Sequence, residues 1–179
     1  MRKIAYSGVE GAFAHMAARR LFPDDMFVAF ENFQKAYEAV DGGECDAAVL
    51  PVRNSYAGEV SEVTKLIEEG DLVVEKEYPL PIIQNLLGVR GSRRGDIKTV
   101  ISQHKALEQC DVYIKEHGYQ VIESVNTAVA AKEIIKRSDM SVAAIASLET
   151  AAIYGLKVLD EKINEKDDNI TTFAVVKKQ

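Results

Sequence analysis

A handful of short stretches carry residue types at spacings suited to chemistry, and each falls at the expected end of a strand or the start of a strand or helix. Ser7-Gly8-Val9-Glu10-Gly11 puts two glycines after an apolar run. The backbone there can approach an anion at a helix N-terminus. Position 13 is Phe13 rather than the third glycine of a dinucleotide fingerprint, so a tight turn and a ligand contact both stay open. Pro51-Val52-Arg53-Asn54-Ser55 sets small polar groups at the carboxyl end of a buried strand, where open α/β sheets collect ligands. An Asx-type turn explains the same residues. Ser102-Gln103-His104-Lys105, with Gln109 just over one helical turn on, repeats the arrangement. Asn126-Thr127 opens a helix, and Asn169-Ile170-Thr171-Thr172-Phe173 enters a strand; capping and β-propensity account for each alone. His15, His104 and His117 show no ligand spacing, and no Ser/His/Asp order or paired carboxylates emerge. The residues by themselves point to a protein of two α/β lobes that binds a small anion.

The elements that must position these groups follow from hydrophobic periodicity. Strands are expected over 3–6, 26–30, 46–52, 99–102, 120–123, 142–146 and 171–176, with extended chain over 72–78, 81–89 and 156–159. Helical stripes run over 12–21, 33–40, 60–67, 106–114 and 126–137, and Ser147 caps a short helix that stops at Gly155. Residues 53–58 and 161–168 read as loops. Strands alternating with helices of this length make βαβ units and mostly parallel sheet. Each half has strands enough for its own sheet. The expectation is therefore a first lobe of about 1–77 plus 165–179 and a second of about 78–164.

Composition limits the function classes. The 179 residues carry 22 Lys+Arg against 28 Asp+Glu, a formal charge of −6, and no basic run to grip a phosphate backbone. No apolar run approaches the roughly 20 residues of a membrane span. Cys45 and Cys110 are too few for a disulfide framework or a cysteine-rich metal site. With no secretory signal pattern at the start, the expected compartment is the cytoplasm.

Taken together, several motifs resemble the catalytic domain of the prephenate dehydratase family. They are Gly8-Val9-Glu10-Gly11-Ala12-Phe13 with Ala17-Ala18, Leu50-Pro51-Val52-Arg53-Asn54-Ser55 with Gly58, and Gln84-Asn85-Leu86-Leu87-Gly88. Further along come Ser102 through Gln109-Cys110, Thr127-Ala128 with Ala130-Ala131, and Ala143-Ala144-Ile145-Ala146-Ser147. Tyr154-Gly155-Leu156 and Asn169-Ile170-Thr171-Thr172-Phe173 complete the set. The resemblance implies two α/β lobes like those of type II periplasmic binding proteins, with the active site in the cleft between them. It implies a lyase of phenylalanine biosynthesis that turns prephenate into phenylpyruvate, carbon dioxide and water without metal or organic cofactor.

By the same resemblance Thr171 is the catalytic residue, assisting departure of the ring hydroxyl. Gly8, Asn54, Ser55, Ser102, Gln109, Thr127 and Phe173 line the substrate site. A homo-oligomer, dimer or tetramer, is implied, with prephenate as the small-molecule partner and neither nucleic acid nor membrane. The chain is expected to lack the regulatory domain and chorismate mutase that often accompany this one. Three departures from the family pattern stand out: Thr172 where Arg is usual, Arg53 where Glu is usual, and a histidine moved one place, to His104. Arg53 is the candidate carboxylate-binding cation if it replaces the one missing at Thr172. A dianionic substrate on an acidic protein calls for local positive charge, with Arg53, Lys105, Arg90 and Arg94 as the candidates. The rival readings are a prephenate decarboxylase that retains the hydroxyl, an option Thr172 keeps open, and a small-carboxylate-binding protein without catalysis.

Overall fold

The computed structural model describes residues 1–179 and divides into two compact units, Met1–Ile82 with Asp168–Gln179, and Ile83–Asp167. The first is built on a sheet whose main path runs β2-β1-β3-β11-β5. Here β1 is Lys3–Ser7, β2 Met26–Phe30, β3 Ala47–Asn54, β5 Val73–Pro81 and β11 Ile170–Lys177; the two-residue β4, Gly58–Glu59, pairs with the end of β3. β1 runs parallel to β2 and β3, whereas β11 is antiparallel to both of its neighbours. Alternation along the strands loads two cores. Ile4, Tyr6, Val49, Leu80, Phe173 and Val175 face helix α1 (Phe13–Leu21). Ala5, Ala48, Leu50, Ala174 and Val176 face α2 (Phe33–Asp41) and α3 (Ser61–Glu69).

Local chemistry sets several boundaries. The Asn32 side chain caps α2 by accepting from the Lys35 amide at 2.8 Å. Pro79 and Pro81 sit in β5, an edge strand of this sheet, where a missing amide costs no ladder bond. Residues 53 and 54 are not loop as expected: β3 continues through Pro51 to Asn54, and its ladder with β11 shifts register between Thr172 and Phe173, where Phe173 stands opposite Pro51. That shift accommodates the proline, so two further residues join the strand.

The second unit carries a five-stranded sheet, β10-β6-β9-β7-β8. Its strands are β6 (Asn85–Gly88), β7 (Thr99–Ser102), β8 (Gln120–Glu123), β9 (Val142–Ala146) and β10 (Lys157–Asp160). β7 is parallel to β8 and β9, and β6 is antiparallel to β9 and β10. One face packs Val100, Ala143 and Ile145 with α4 (His104–Gln109) and α5 (Asp111–His117). The other packs Ile101, Val142 and Ala144 on α6 (Thr127–Arg137), while α7 (Leu148–Tyr154) adds Ala151 to a small cluster with Leu87 and Ala146. The single stripe expected over 106–114 is two helices broken at Cys110 (φ −115°, ψ 16°). Gly118 (φ 65°) and Gly155 (φ 66°) end α5 and α7 in the left-handed conformation that glycine takes without strain.

Candidate functional site

In the first unit the carboxyl end of β3 and the amino end of β11 bring Asn54 opposite Thr171. The Asn54 side-chain amide Nδ2 donates to Thr171 Oγ1 at 3.0 Å and to Asn169 Oδ1 at 2.7 Å. Its Oδ1 accepts the backbone amides of Tyr56 (2.9 Å) and Ala57 (3.0 Å). Only an oxygen can accept two N–H groups, so the orientation of the amide is fixed by its own bonds. Because Thr171 Oγ1 is an acceptor from Asn54, its own proton is left to be donated elsewhere. Thr171 is half-buried and lies on the face of Leu80 and Phe173, above the α1 core.

Ser55 ties the same two segments. Its amide donates to the Ile170 carbonyl at 2.9 Å, and its hydroxyl accepts the Ile170 amide at 2.9 Å and donates to the Asp168 carbonyl at 3.1 Å. The Tyr56 hydroxyl bonds the Asp168 carboxylate beside it. Asn54 and Ser55 thus fix the strand entry that carries Thr171, a network that resists movement of the hydroxyl. Gly8 ends β1 at φ 110°, its amide donating to Phe30 O at 2.9 Å, and the uncapped amino end of α1 follows. The Gly11 amide is taken by Nδ1 of buried His15 at 3.0 Å, and His15 stacks on Tyr6.

Other expected residues have different surroundings. Phe173 is only 2 % exposed and packs in the core beneath Thr171, so it supports the strand from below and offers a ligand no surface. Arg53 is not brought to Thr171. It pairs across the ladder with Thr172, so strand alternation turns it to the opposite sheet face. There its guanidinium takes both oxygens of Glu77, at 3.0 and 2.6 Å. The Arg53 hydrogen bonds hold the Glu77 carboxyl below its ordinary value, and Glu77 raises Arg53 in return. Lys105 is paired with Glu108 and Arg94 with Asp160. Positions 53 and 172 are nevertheless direct cross-strand neighbours, which gives the paired departure a common location.

In the second unit the Ser102 hydroxyl is wholly buried and donates to Ile145 O at 2.6 Å, locking β7 to β9. Gln109 is half-buried, and its Oε1 accepts from buried Gln84 Nε2 at 2.9 Å. Thr127 is the first residue of α6, whose N-cap Asn126 accepts the Val129 amide at 2.9 Å. His104 is exposed between Glu108 and Glu123 at 3.4 and 3.3 Å, and turns to the helices beside β8. Two residues of these networks lie in motifs picked out from sequence but were not named there as site residues: Asn169, which anchors Asn54, and Gln84, which anchors Gln109. The signal for Asn169 was its place two residues before Thr171 in one polar segment. Among all residues, no group of His, Cys, Asp and Glu is arranged to hold a metal ion.

The description "Prephenate dehydratase" matches residues 4–179. The chain belongs to the prephenate dehydratase family. An Arabidopsis thaliana relative, "Arogenate dehydratase/prephenate dehydratase 1, chloroplastic", is 36 % identical over 177 residues, covering 99 % of this chain and 45 % of the relative. A prephenate dehydratase from Arthrobacter aurescens, solved in complex with L-Phe, superposes with a TM-score of 0.87 at 29 % identity, covering 99 % of this chain and 60 % of that one. A putative methionine-binding lipoprotein from Bacillus subtilis shares the fold at TM-score 0.52 and 12 % identity, covering 99 % and 83 %. Two α/β units of the periplasmic-binding-protein type are therefore the architecture of this member. The chain spans about half the length of the curated plant relatives it matches. No helix is long and apolar enough to cross a membrane.

Proposed function

We propose that this unit converts prephenate to phenylpyruvate, carbon dioxide and water. The C–C bond to the ring carboxylate breaks as carbon dioxide leaves, and its electron pair enters the ring. The C–O bond then releases hydroxide, which takes a proton and departs as water; aromatisation drives both losses. The departing oxygen needs a hydrogen-bond donor held where charge develops. Thr171 is the residue for that role, and the observation that carries the reading is its bond with Asn54. Asn54 occupies the acceptor side of Oγ1 at 3.0 Å and leaves the hydroxyl proton to point at the substrate. A threonine is a poor acid, so its value is positional rather than a matter of pKa.

Incubation with prephenate, following phenylpyruvate absorbance, tests the reading. Product above the buffer blank is expected, and loss of one positioned donor in Thr171→Val should lower kcat by about 10²–10³. No turnover by the native chain rejects the proposal. A second substrate reading rests on the plant relative's name, which joins arogenate to prephenate. Arogenate keeps the ring and its hydroxyl and carries an amino group in place of the keto group. The same departure would then yield phenylalanine, and the ratio of kcat/KM on the two substrates decides between them. The decarboxylase alternative loses its main support, since the departure at Thr172 lies on the sheet face turned away from the Thr171 hydroxyl.

A further inference from the structure

The amide orientations in the first unit's polar network are fixed one by the next, and the last amide in line keeps a donor that the protein does not use. Asn54 is oriented by backbone, since its Oδ1 accepts the Tyr56 and Ala57 N–H groups. Its Nδ2 is therefore a donor, and the Asn169 atom 2.7 Å away must be the acceptor Oδ1. That leaves the Asn169 Nδ2, with its N–H groups, at the far end, where no protein acceptor meets it. Asn169 is only 6 % exposed, and no side-chain nitrogen or oxygen closed off from solvent lacks a partner. The little surface that Asn169 keeps therefore includes Nδ2. Buried amides ordinarily satisfy their donors inside the protein. The backbone is held as well: the Asn169 carbonyl accepts the Ile82 amide at 2.8 Å, extending the ladder between β5 and β11. Thr171 lies two residues on, and its hydroxyl accepts from the same Asn54 nitrogen at 3.0 Å. One amide thus poises two donors on the same side of the strand entry.

We propose that Asn169 is a second catalytic donor, its Nδ2 hydrogen-bonding the oxygen that leaves the ring together with the Thr171 hydroxyl. The inference rests on the dehydratase reading above and adds a residue to it. When the C–O bond breaks, its electron pair stays on the departing oxygen and negative charge grows there. Preorganised donors aimed at such an oxygen stabilise the transition state. The oxygen has lone pairs for more than one donor, whereas Thr171 brings a single proton. Asn169 adds a neutral N–H whose direction its own bonds have already set. An amide is too weak an acid to release a proton, so Asn169 keeps both of its own. The proton that completes water comes from solvent. Both ends of the amide are then in use, Oδ1 on Asn54 and Nδ2 on the substrate. An aspartate would serve Asn54 equally well, but it would set an acceptor where the donor stands.

Asn169→Asp separates these two ends. It keeps an oxygen for Asn54 Nδ2, so a residue that only anchors Asn54 would tolerate it with native turnover. A donor to the departing oxygen would not: kcat should fall by about 10² with KM changed less. Lowering the pH should recover part of the loss, as the new carboxyl gains a proton to donate, a rise the native chain lacks. Native kcat in Asn169→Asp overturns the proposal. So does a loss confined to KM, which repulsion of a carboxylate substrate produces. A measurement on the native chain stands beside the variant should it fail to fold. The Asn169 side-chain amide signals are assigned by NMR through their own Cβ and followed with a ring-saturated prephenate analogue, which keeps the hydroxyl and cannot aromatise. They should move with that analogue and stay in place with phenylpyruvate, which has no hydroxyl. Signals that ignore the analogue, or move equally with both, overturn the proposal. If the native chain turns over neither prephenate nor arogenate, the dehydratase reading falls and this one with it. Native turnover beside an indifferent Asn169→Asp removes this inference alone.

Discussion

At residue scale the informative pair is Asn54 and Thr171, far apart in sequence and joined by one 3.0 Å bond. Asn54→Asp replaces the amide donor by an acceptor facing Thr171 and Asn169, and the carboxylate would draw the Thr171 proton to itself. The expected outcome is a kcat loss similar to that of Thr171→Val, with KM changed less, read by product assay. Arg53 and Glu77 make the opposite case. Their side chains are 55 % and 45 % exposed, so the pair is solvent-screened and Arg53→Ala should leave turnover near the native value. Because the Glu77 carboxyl is held low by Arg53, its contribution to stability is present above the ordinary glutamate range. It fades as pH falls through the lowered value, and the Tm difference between native and Glu77→Gln should shrink in acid. None of this could be read from sequence without register. Asn54 stood out as a polar group at a strand end and Thr171 was named by resemblance, but which way Arg53 points depends on its being inside the strand rather than past it.

At element scale the hydrophobic period carried most strands and helices, and it failed where one residue changed the local rule. The expected strand ends at Val52, just past Pro51, yet the ladder shifts register opposite the proline and β3 continues to Asn54. Cys110 reads as one more apolar position of a single helix, yet its backbone turns there. Burial pushes its thiol up to about 12, so neither it nor Cys45 should react with a thiol reagent at pH 8 until the chain is unfolded. Timed labelling with and without denaturant checks this. Gly70 ends α3 at φ −102°, a value open to any residue, so closeness rather than conformation explains it. A Cβ there would lie 2.7 Å from the Leu66 carbonyl and press on the Tyr37 hydroxyl, which accepts the Leu72 amide. Gly70→Ala should destabilise by about 1–3 kcal/mol, seen as a lower denaturation midpoint with an unchanged slope.

At the scale of the whole molecule, two α/β units were legible from the alternation of elements, because each half supplies strands enough for a sheet. Where the chain passes between them was less legible. β5 runs on to Pro81 only because β11 pairs with it that far, a contact between segments separated by all of the second unit. That placement of β11 has a consequence for the order in which the protein is made. β3 and β5 leave the ribosome early, but in the finished sheet they are not neighbours, and the slot between them stays open until residues 170–177 emerge. Thr171 arrives on the strand that closes the slot. The first unit therefore gains its last structural strand and the Thr171 hydroxyl proposed to assist the reaction in one event, so a chain interrupted before β11 carries neither a finished core nor that hydroxyl.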